Sequence, residues 1–115
     1  PSITLAQIDP STAALVNYKV FTASNQTGVD AKWDEEYDFA HSFNEAGFTS
    51  SSVGQLIGEF AADPGAKTEA SGSYIEDFSV GLASPLLRLA WPEYVCTLTN
   101  YTPESFRSCA CPAAP

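Results

Sequence analysis

The chain has 115 residues, of which 44% are hydrophobic and 12% aromatic, so it can form one folded domain and is not typical of a disordered protein. Fourteen acidic residues against five basic ones give a net charge of -9. Because such a surface repels phosphate groups, the charge argues against nucleic-acid binding and against electrostatic docking to an acidic membrane. The longest apolar run, Val80 to Trp91, contains polar residues and proline and falls short of a transmembrane segment.

Two sequons and three cysteines favour a secretory protein. Asn25-Gln26-Thr27 and Asn100-Tyr101-Thr102 both fit N-glycosylation, and neither has proline in the middle. The chain starts at Pro1 and contains no methionine, which is expected of a processed or trimmed chain. These features predict N-glycosylation at Asn25 and Asn100.

The cysteines Cys96, Cys109 and Cys111 lie close to the C-terminus. An odd number in a secreted chain predicts one partner elsewhere or one free thiol. A bond from Cys96 to either Cys109 or Cys111 would close a short loop, and the pattern leaves both pairings open. A zinc site is disfavoured, because Cys-Ala-Cys lacks the usual two-residue spacing and His41 is distant in sequence.

The first 22 residues predict a β-hairpin. Ile3 and Leu5 alternate with polar or small residues, and Asp9-Pro10-Ser11-Thr12 is typical of a turn. On the return run, Val16, Tyr18 and Val20 alternate with polar residues, which is the period of a strand with one buried face. A hairpin alone is marginal in water, so we expect it to pack on a sheet or on helices.

The segment from 30 to 91 predicts about three short helices. The first is expected from about Asp30 to Asn44, because Trp33 and Tyr37 lie four residues apart and acidic residues fill its first turn. The second follows a capping-box pattern beginning at Ser52 and ends at Asp63-Pro64-Gly65. The third is expected to begin after a small, polar loop over 66–73, with a capping box at Ser73, and to run to Gly81 or slightly beyond. Ser84-Pro85 then restarts or turns the chain.

Residues 92–115, rich in proline, are expected to form an irregular tail pinned by disulfide bonding. The predicted fold class is therefore α+β: an N-terminal β-hairpin, short helices and a cysteine-bearing tail. All of it is assigned to one subdomain spanning residues 1–115, because no repeat or linker is visible.

Candidates for catalysis are few, and we predict no catalytic or metal-binding residue in this chain. The single histidine, His41, lies near Asp38 and Glu45, but a lone histidine on an acidic helix is more often structural than a general base. The acidic run from Asp34 to Asp38 lacks the spacing and the glycine of a calcium loop and is interpreted as a solvated first turn. The aromatic residues around it are interpreted as core rather than as a binding platform.

In their order along the chain, several motifs resemble the C-terminal part of acid-sphingomyelinase-like phosphodiesterases. The sharpest is Trp33-Asp34-Glu35-Glu36-Tyr37, which is similar to a Trp-x-x-Glu-Tyr motif of that family. The connection over 61–72 and the Cys-Ala-Cys ending depart from the family pattern. The other matching segments are Pro1–Pro10 with its Ile-Asp-Pro turn, Val16–Tyr18, Ser51–Leu56, Tyr74–Phe78 and the tail from Cys96 to Cys111.

The resemblance implies a noncatalytic role in a secreted or lysosomal enzyme. In that family a metallophosphoesterase domain holds two zinc ions that activate water and clamp the phosphate, and its ligands would all precede Pro1. The hairpin would add to the parent sheet and the helices would wall the substrate cleft. Two alternatives remain open: a free-standing secreted glycoprotein interaction domain with no activity, which predicts an intrachain disulfide and a free thiol, and a small hydrolase that depends on His41.

Overall fold

The computed structural model describes residues 1–111, except for the side chain of Ser79, and has the predicted α+β architecture. The described residues divide into two compact units, Pro1–Gly54 and the part from Gln55 onward. A 3₁₀ turn occupies Phe78–Gly81. The strands are β1 (Ser2–Ile8), β2 (Leu15–Ala23) and β3 (Trp33–Asp38), and the helices are α1 (Phe39–Ser42), α2 (Ser50–Ala62), α3 (Glu69–Asp77), α4 (Ser84–Leu89), α5 (Trp91–Thr97) and α6 (Pro103–Ala110).

The predicted hairpin is confirmed as β1 and β2, which pair antiparallel from Ser2 opposite Thr22 to Ile8 opposite Leu15. The connecting turn is held by Asp9, whose carboxylate accepts hydrogen bonds from the backbone N–H and the hydroxyl of Ser11 at 2.8 and 2.7 Å. Such local bonds are the reason why Asp favours turns.

The first predicted helix is wrong over most of its length, because residues 33–38 form the strand β3. This strand pairs antiparallel with β2, with a register shift between Val20 and Phe21. The spacing of Trp33 and Tyr37 fits a helix, but it equally fits one face of a strand, where side chains repeat every second residue. Only the turn α1 at Phe39–Ser42 is helical in this segment, and Asp38 caps it by accepting from the His41 N–H.

The first unit has an aromatic core on one face of its sheet. The ring centroids of Phe39 lie 5.6 Å from Tyr18 and 5.0 Å from Phe48, and Phe43 lies 5.3 Å from Phe39. The backbone N–H of Phe48 donates to the carbonyl oxygen of Val16 at 2.7 Å, which fixes the loop before α2 against β2. Of the aromatic residues expected to be core, Phe39 is buried, whereas Trp33, Tyr37 and Phe43 are half-buried.

Helices α2 and α3 begin earlier than predicted, because their N-caps are threonines. In α2, Thr49 Oγ1 accepts from the Ser52 N–H at 3.0 Å, and in α3, Thr68 Oγ1 accepts from the Ser71 N–H at 3.2 Å. The predicted capping boxes beginning at Ser52 and Ser73 are therefore misplaced, and Glu69 already lies in the first turn of α3. The end of α2 just before Asp63 is confirmed.

The second unit is built around Trp91, which is fully buried. Its ring packs on Phe60 at 5.3 Å, on Tyr74 at 5.9 Å and on Tyr94 at 6.1 Å between centroids. Ile75 is also fully buried, and Ser84 at the start of α4 donates to its carbonyl oxygen at 3.0 Å. The unit therefore buries residues from α2, α3, α4 and α5 together.

The prediction of an irregular tail is wrong for residues 92–110, which are mostly helical. Pro85, Pro92 and Pro103 each lie in the first turn of a helix, α4, α5 and α6 respectively. Proline is tolerated there because the first N–H groups of a helix have no intrahelical partner. Thr102 caps α6 in a reciprocal capping box with Ser105. The predicted disulfide is present between Cys96 and Cys109, and residues 112–115 of the predicted tail lie outside the described residues.

Candidate functional site

Strand β1 is an edge of the three-stranded sheet, and all seven of its residues are exposed. It carries no charged residue and no proline, and its pairing with β2 is regular as far as Gln7. An edge strand directs alternate backbone N–H and C=O groups outward, and it can template pairing with another strand. We therefore call β1 the docking edge, since its outward backbone groups can pair with a strand of another chain or domain.

The opposite edge, β3, is protected against such pairing. Four of its six residues are acidic, and the register shift against β2 lies within it. Charges and bulges are the devices by which edge strands resist pairing with other chains. The two edges of one small sheet therefore differ sharply, and only β1 lacks protection.

The apolar side chains of β1 lie on the sheet face away from the aromatic core. Ile3 stands opposite Phe21 and Leu5 opposite Lys19, whereas Tyr18 and Val20, which alternate with these partners, belong to the other face. Ile3 and Leu5 are 48% and 56% exposed, and Ile8 at the end of the strand is 51% exposed. A partner strand at this edge would cover apolar side chains as well as satisfy backbone groups.

Three of the four acidic residues of β3, namely Glu35, Glu36 and Asp38, bind side chains of β2, whereas Asp34 pairs with Lys32. Lys19 Nζ lies 3.0 Å from Glu35 and 3.4 Å from Asp38, and the bond to Glu35, followed by that to Asp38, raises the pKa of Lys19. The Asn17 amide donates to both oxygens of Asp38 at 3.0 and 3.1 Å. These amide bonds, with the His41 N–H and Lys19, lower the pKa of Asp38. These side-chain bonds therefore connect β2 to β3.

His41 lies at the end of α1 and is exposed, with its backbone N–H bound to Asp38 at 3.1 Å. Over residues 1–111, no three His, Cys, Asp or Glu side chains are grouped so that they could hold a metal ion. In the same residues, no helix combines the length and the apolarity needed to cross a bilayer.

The second unit exposes a separate apolar surface around α4. Leu82, Leu86 and Leu89 are all largely exposed, and Leu86 borders a groove of about 350 Å³ that is also lined by Phe78 and Tyr94. Leu86 and Leu89 lie three residues apart and therefore on one face of α4, and Leu82 lies in the turn that precedes this helix. Within the stretch from Leu86 to Trp91, Leu87 and Trp91 are the residues that belong to the core.

The predicted modification and disulfide residues fall in distinct places. Asn25 lies exposed in the loop between β2 and β3, and Asn100 lies half-buried just after α5. Of the two pairings left open for Cys96, the structure has Cys96 bonded to Cys109, with Cα atoms 5.8 Å apart. The thiol of Cys111 is free and exposed.

Comparisons of the chain with protein-family models, with curated proteins and with solved structures found no match. The fold and the surfaces described above define a small disulfide-bonded α+β protein with one unprotected sheet edge.

Proposed function

We propose that this chain is the noncatalytic C-terminal part of a secreted or lysosomal acid-sphingomyelinase-like phosphodiesterase. In this role it completes the sheet of a metallophosphoesterase domain, which holds two zinc ions, and it forms a wall of the substrate cleft. The parent protein would hydrolyse phosphoric diesters, and this chain would supply structure rather than catalytic groups.

The observation that carries the proposal is the unprotected edge β1, which has the exposed side chains Ile3, Leu5 and Ile8. A chain that functions alone is expected to protect such an edge with charges, prolines or bulges, as β3 is protected here. In the proposed role, the hairpin of β1 and β2 would pair through this edge with a strand of the metallophosphoesterase domain and extend its sheet.

The first test is the mass of the native, unreduced protein that contains residues 1–115, combined with its zinc content. We expect a larger polypeptide, continuous with this chain or disulfide-linked to it, that binds zinc and hydrolyses bis(p-nitrophenyl) phosphate. A free species with the mass of this chain, without zinc or a partner, would contradict the proposal.

The second test compares two substitutions in that native polypeptide. Leu5→Lys places a charge on the docking edge, and Leu86→Lys is its matched control on an exposed leucine of the second unit. Since burying a leucine contributes about 1.5–3 kcal/mol, Leu5→Lys should lower the stability of the parent protein and its yield of active enzyme. Leu86→Lys should leave both near wild type. A loss confined to Leu86→Lys would reject β1 as the docking edge.

A free-standing secreted glycoprotein interaction domain is the second candidate. It is favoured by the intrachain bond between Cys96 and Cys109, which leaves the Cys111 thiol free, and by the exposed leucines of α4. Under this alternative, Leu86→Lys is the variant that should abolish partner binding. The same pair of substitutions therefore separates the two candidates.

A further inference from the structure

The two N-glycosylation sequons differ in the exposure of their asparagines and in the hydrogen bonds that these side chains make. We propose that the oligosaccharide is attached to Asn25 and that Asn100 stays unmodified. The inference rests on the secretory location that forms part of the proposed function, but it does not depend on a phosphodiesterase parent.

The side-chain oxygen of Asn25 accepts hydrogen bonds that hold its loop, and the side-chain nitrogen uses one of its two hydrogens. The Oδ1 atom accepts from the backbone N–H groups of Thr27 and Gly28 at 3.0 and 2.8 Å, and from the Thr27 hydroxyl at 3.1 Å. The Nδ2 atom donates one hydrogen bond, to the carbonyl oxygen of Val29 at 3.0 Å. An amide nitrogen carries two hydrogens, so one N–H of Asn25 remains available.

Glycosyl transfer at this nitrogen preserves the loop. The co-reactant is a lipid-linked oligosaccharide pyrophosphate. Its C1–O bond breaks and the lipid pyrophosphate leaves with the electron pair. C1 bonds to Nδ2 of Asn25, and that nitrogen releases one proton to the solvent. The product amide retains one N–H, which can continue to donate to Val29. The acceptor oxygen is unchanged, so its three bonds also persist.

Asn100 uses both hydrogens of its amide nitrogen. Its Nδ2 atom donates to the carbonyl oxygen of Cys96 at 2.9 Å and to Thr99 Oγ1 at 3.2 Å. The Cys96 carbonyl oxygen also accepts from the backbone N–H of Asn100 at 3.1 Å, so backbone and side chain together tie Asn100 to the end of α5. Conjugation would remove one of these donors, and the half-buried side chain offers less room for a sugar than the exposed Asn25.

The hydroxyl residue of the second sequon is also occupied. Thr102 is the N-cap of α6, and its Oγ1 accepts from the Ser105 N–H at 3.2 Å and donates to the Ser105 hydroxyl at 3.1 Å. The disulfide between Cys96 and Cys109, with a sequence separation of 13, encloses the sequon and holds both helices. Once this segment has folded, Asn100 and Thr102 cannot be presented together as an extended acceptor.

The experiment uses the native secreted polypeptide that contains residues 1–115. Peptide-N-glycosidase F converts a glycosylated Asn to Asp, and digestion in heavy-oxygen water followed by peptide mapping marks the converted residue. We expect the label at Asn25 and not at Asn100. Label at Asn100, as would follow if transfer preceded folding of this segment, or no label at Asn25, would overturn the inference.

Matched variants identify the site a second way. Asn25→Asp keeps the acceptor oxygen that holds the loop but cannot be glycosylated, and Asn100→Asp is its counterpart. We expect Asn25→Asp and Thr27→Ala to lose the mass of one glycan, and Thr27→Ser and Asn100→Asp to retain it. A loss of glycan mass in Asn100→Asp would contradict the inference.

Zinc content and phosphodiester hydrolysis measured on the same samples keep the two proposals apart. A glycan at Asn25 on a protein without zinc or hydrolytic activity would reject the proposed function and support this inference. A zinc-dependent hydrolase with an unmodified Asn25 would support the proposed function and reject this inference.

Discussion

The indole N–H of Trp91 donates a hydrogen bond to the backbone carbonyl oxygen of Asp63 across 3.0 Å. Both residues are buried, and the bond joins the start of α5 to the turn that follows α2. The side chain of Asp63 acts in the same turn, since its two oxygens accept from the backbone N–H groups of Lys67 and Thr68 at 3.0 and 2.8 Å. The turn and the aromatic core of the second unit are therefore fixed together.

Trp91→Phe should destabilise the second unit by about 1–3 kcal/mol, because it removes one of the two donors to the buried carbonyl oxygen of Asp63, the other being the Ala66 N–H, and because it replaces a fully buried ring by a smaller one. Urea unfolding followed by far-UV circular dichroism measures this change. Trp33→Phe, at the half-buried tryptophan of β3, is the control and should cost less. Equal losses in the two variants would show that ring size, and not the hydrogen bond, sets the effect.

The stabilising effect of Asp63 should depend on pH. Hydrogen bonds from the Lys67 and Thr68 N–H groups, and then from the Ser71 and Thr68 hydroxyls, hold the pKa of this carboxyl well below its usual range. Its contribution is therefore complete above the ordinary Asp pKa of about 4 and is lost as the pH falls from there towards the folded-state pKa.

Asp63→Asn should lower the urea midpoint at neutral pH, and the difference from wild type should shrink as the pH falls below about 4. The control is Asp34→Asn, which alters an exposed ion pair with Lys32 and should change the midpoint little at any pH. A difference between Asp63→Asn and wild type that is constant over the whole pH range would argue against the carboxylate as its cause.

Ala13→Gly should stabilise the first unit by up to about 1 kcal/mol. Ala13 has φ of +58° in the hairpin turn, a conformation that costs a residue with a Cβ roughly 1–2 kcal/mol, and the greater freedom of glycine when unfolded offsets part of the gain. The neighbouring Ala14 lies outside the left-handed region, so Ala14→Gly should destabilise instead. Thermal unfolding of the two variants gives the sign, and two changes of the same sign would contradict the strain argument.

Cys109→Ser should destabilise the second unit by about 3 kcal/mol, which is the loop-entropy value for a segment of this length. Cys111→Ser should leave its stability unchanged, since the Cys111 thiol is free. Thermal unfolding without reductant compares the variants, and peptide mapping without reduction should recover Cys96 linked to Cys109. A Cys96–Cys111 cross-link would refute the pairing.

Several elements were predictable because their signals are local. The alternation in β1 and β2 with an Asp-Pro turn between them predicts the hairpin, and Asp63-Pro64-Gly65 correctly marks the end of α2. The threonine caps were also readable: Thr49, Thr68 and Thr102 each precede a serine by three residues and begin a helix. A capping box is usually recognised by Glu or Gln at the third position, but at Thr49 and Thr102 a serine accepts the N-cap N–H instead. At Thr68 that N–H donates to the Asp63 carboxylate.

The exposed edge β1 and the exposed leucines of α4 were not predictable from pattern alone. An apolar residue in a strand or helix is expected to be buried, and whether a neighbour covers it depends on the rest of the chain. The hydrogen bond between the Asn17 amide and the Asp38 carboxylate could not be predicted from the sequence either, since β2 and β3 bring these residues together only in the folded sheet.

The α+β class, the hairpin and the presence of a disulfide near the C-terminus could be predicted, because they follow from local turn chemistry, side-chain period and cysteine content. Two choices required the folded chain: whether residues 33–38 form a helix or a strand, and which cysteine bonds to Cys96. The first choice depends on backbone pairing of this segment with β2. The second depends on the last turn of α6, which brings Cys109 within bonding distance of Cys96 and leaves Cys111 beyond the helix end. Both are set by contacts between distant parts of the chain, which local patterns do not encode.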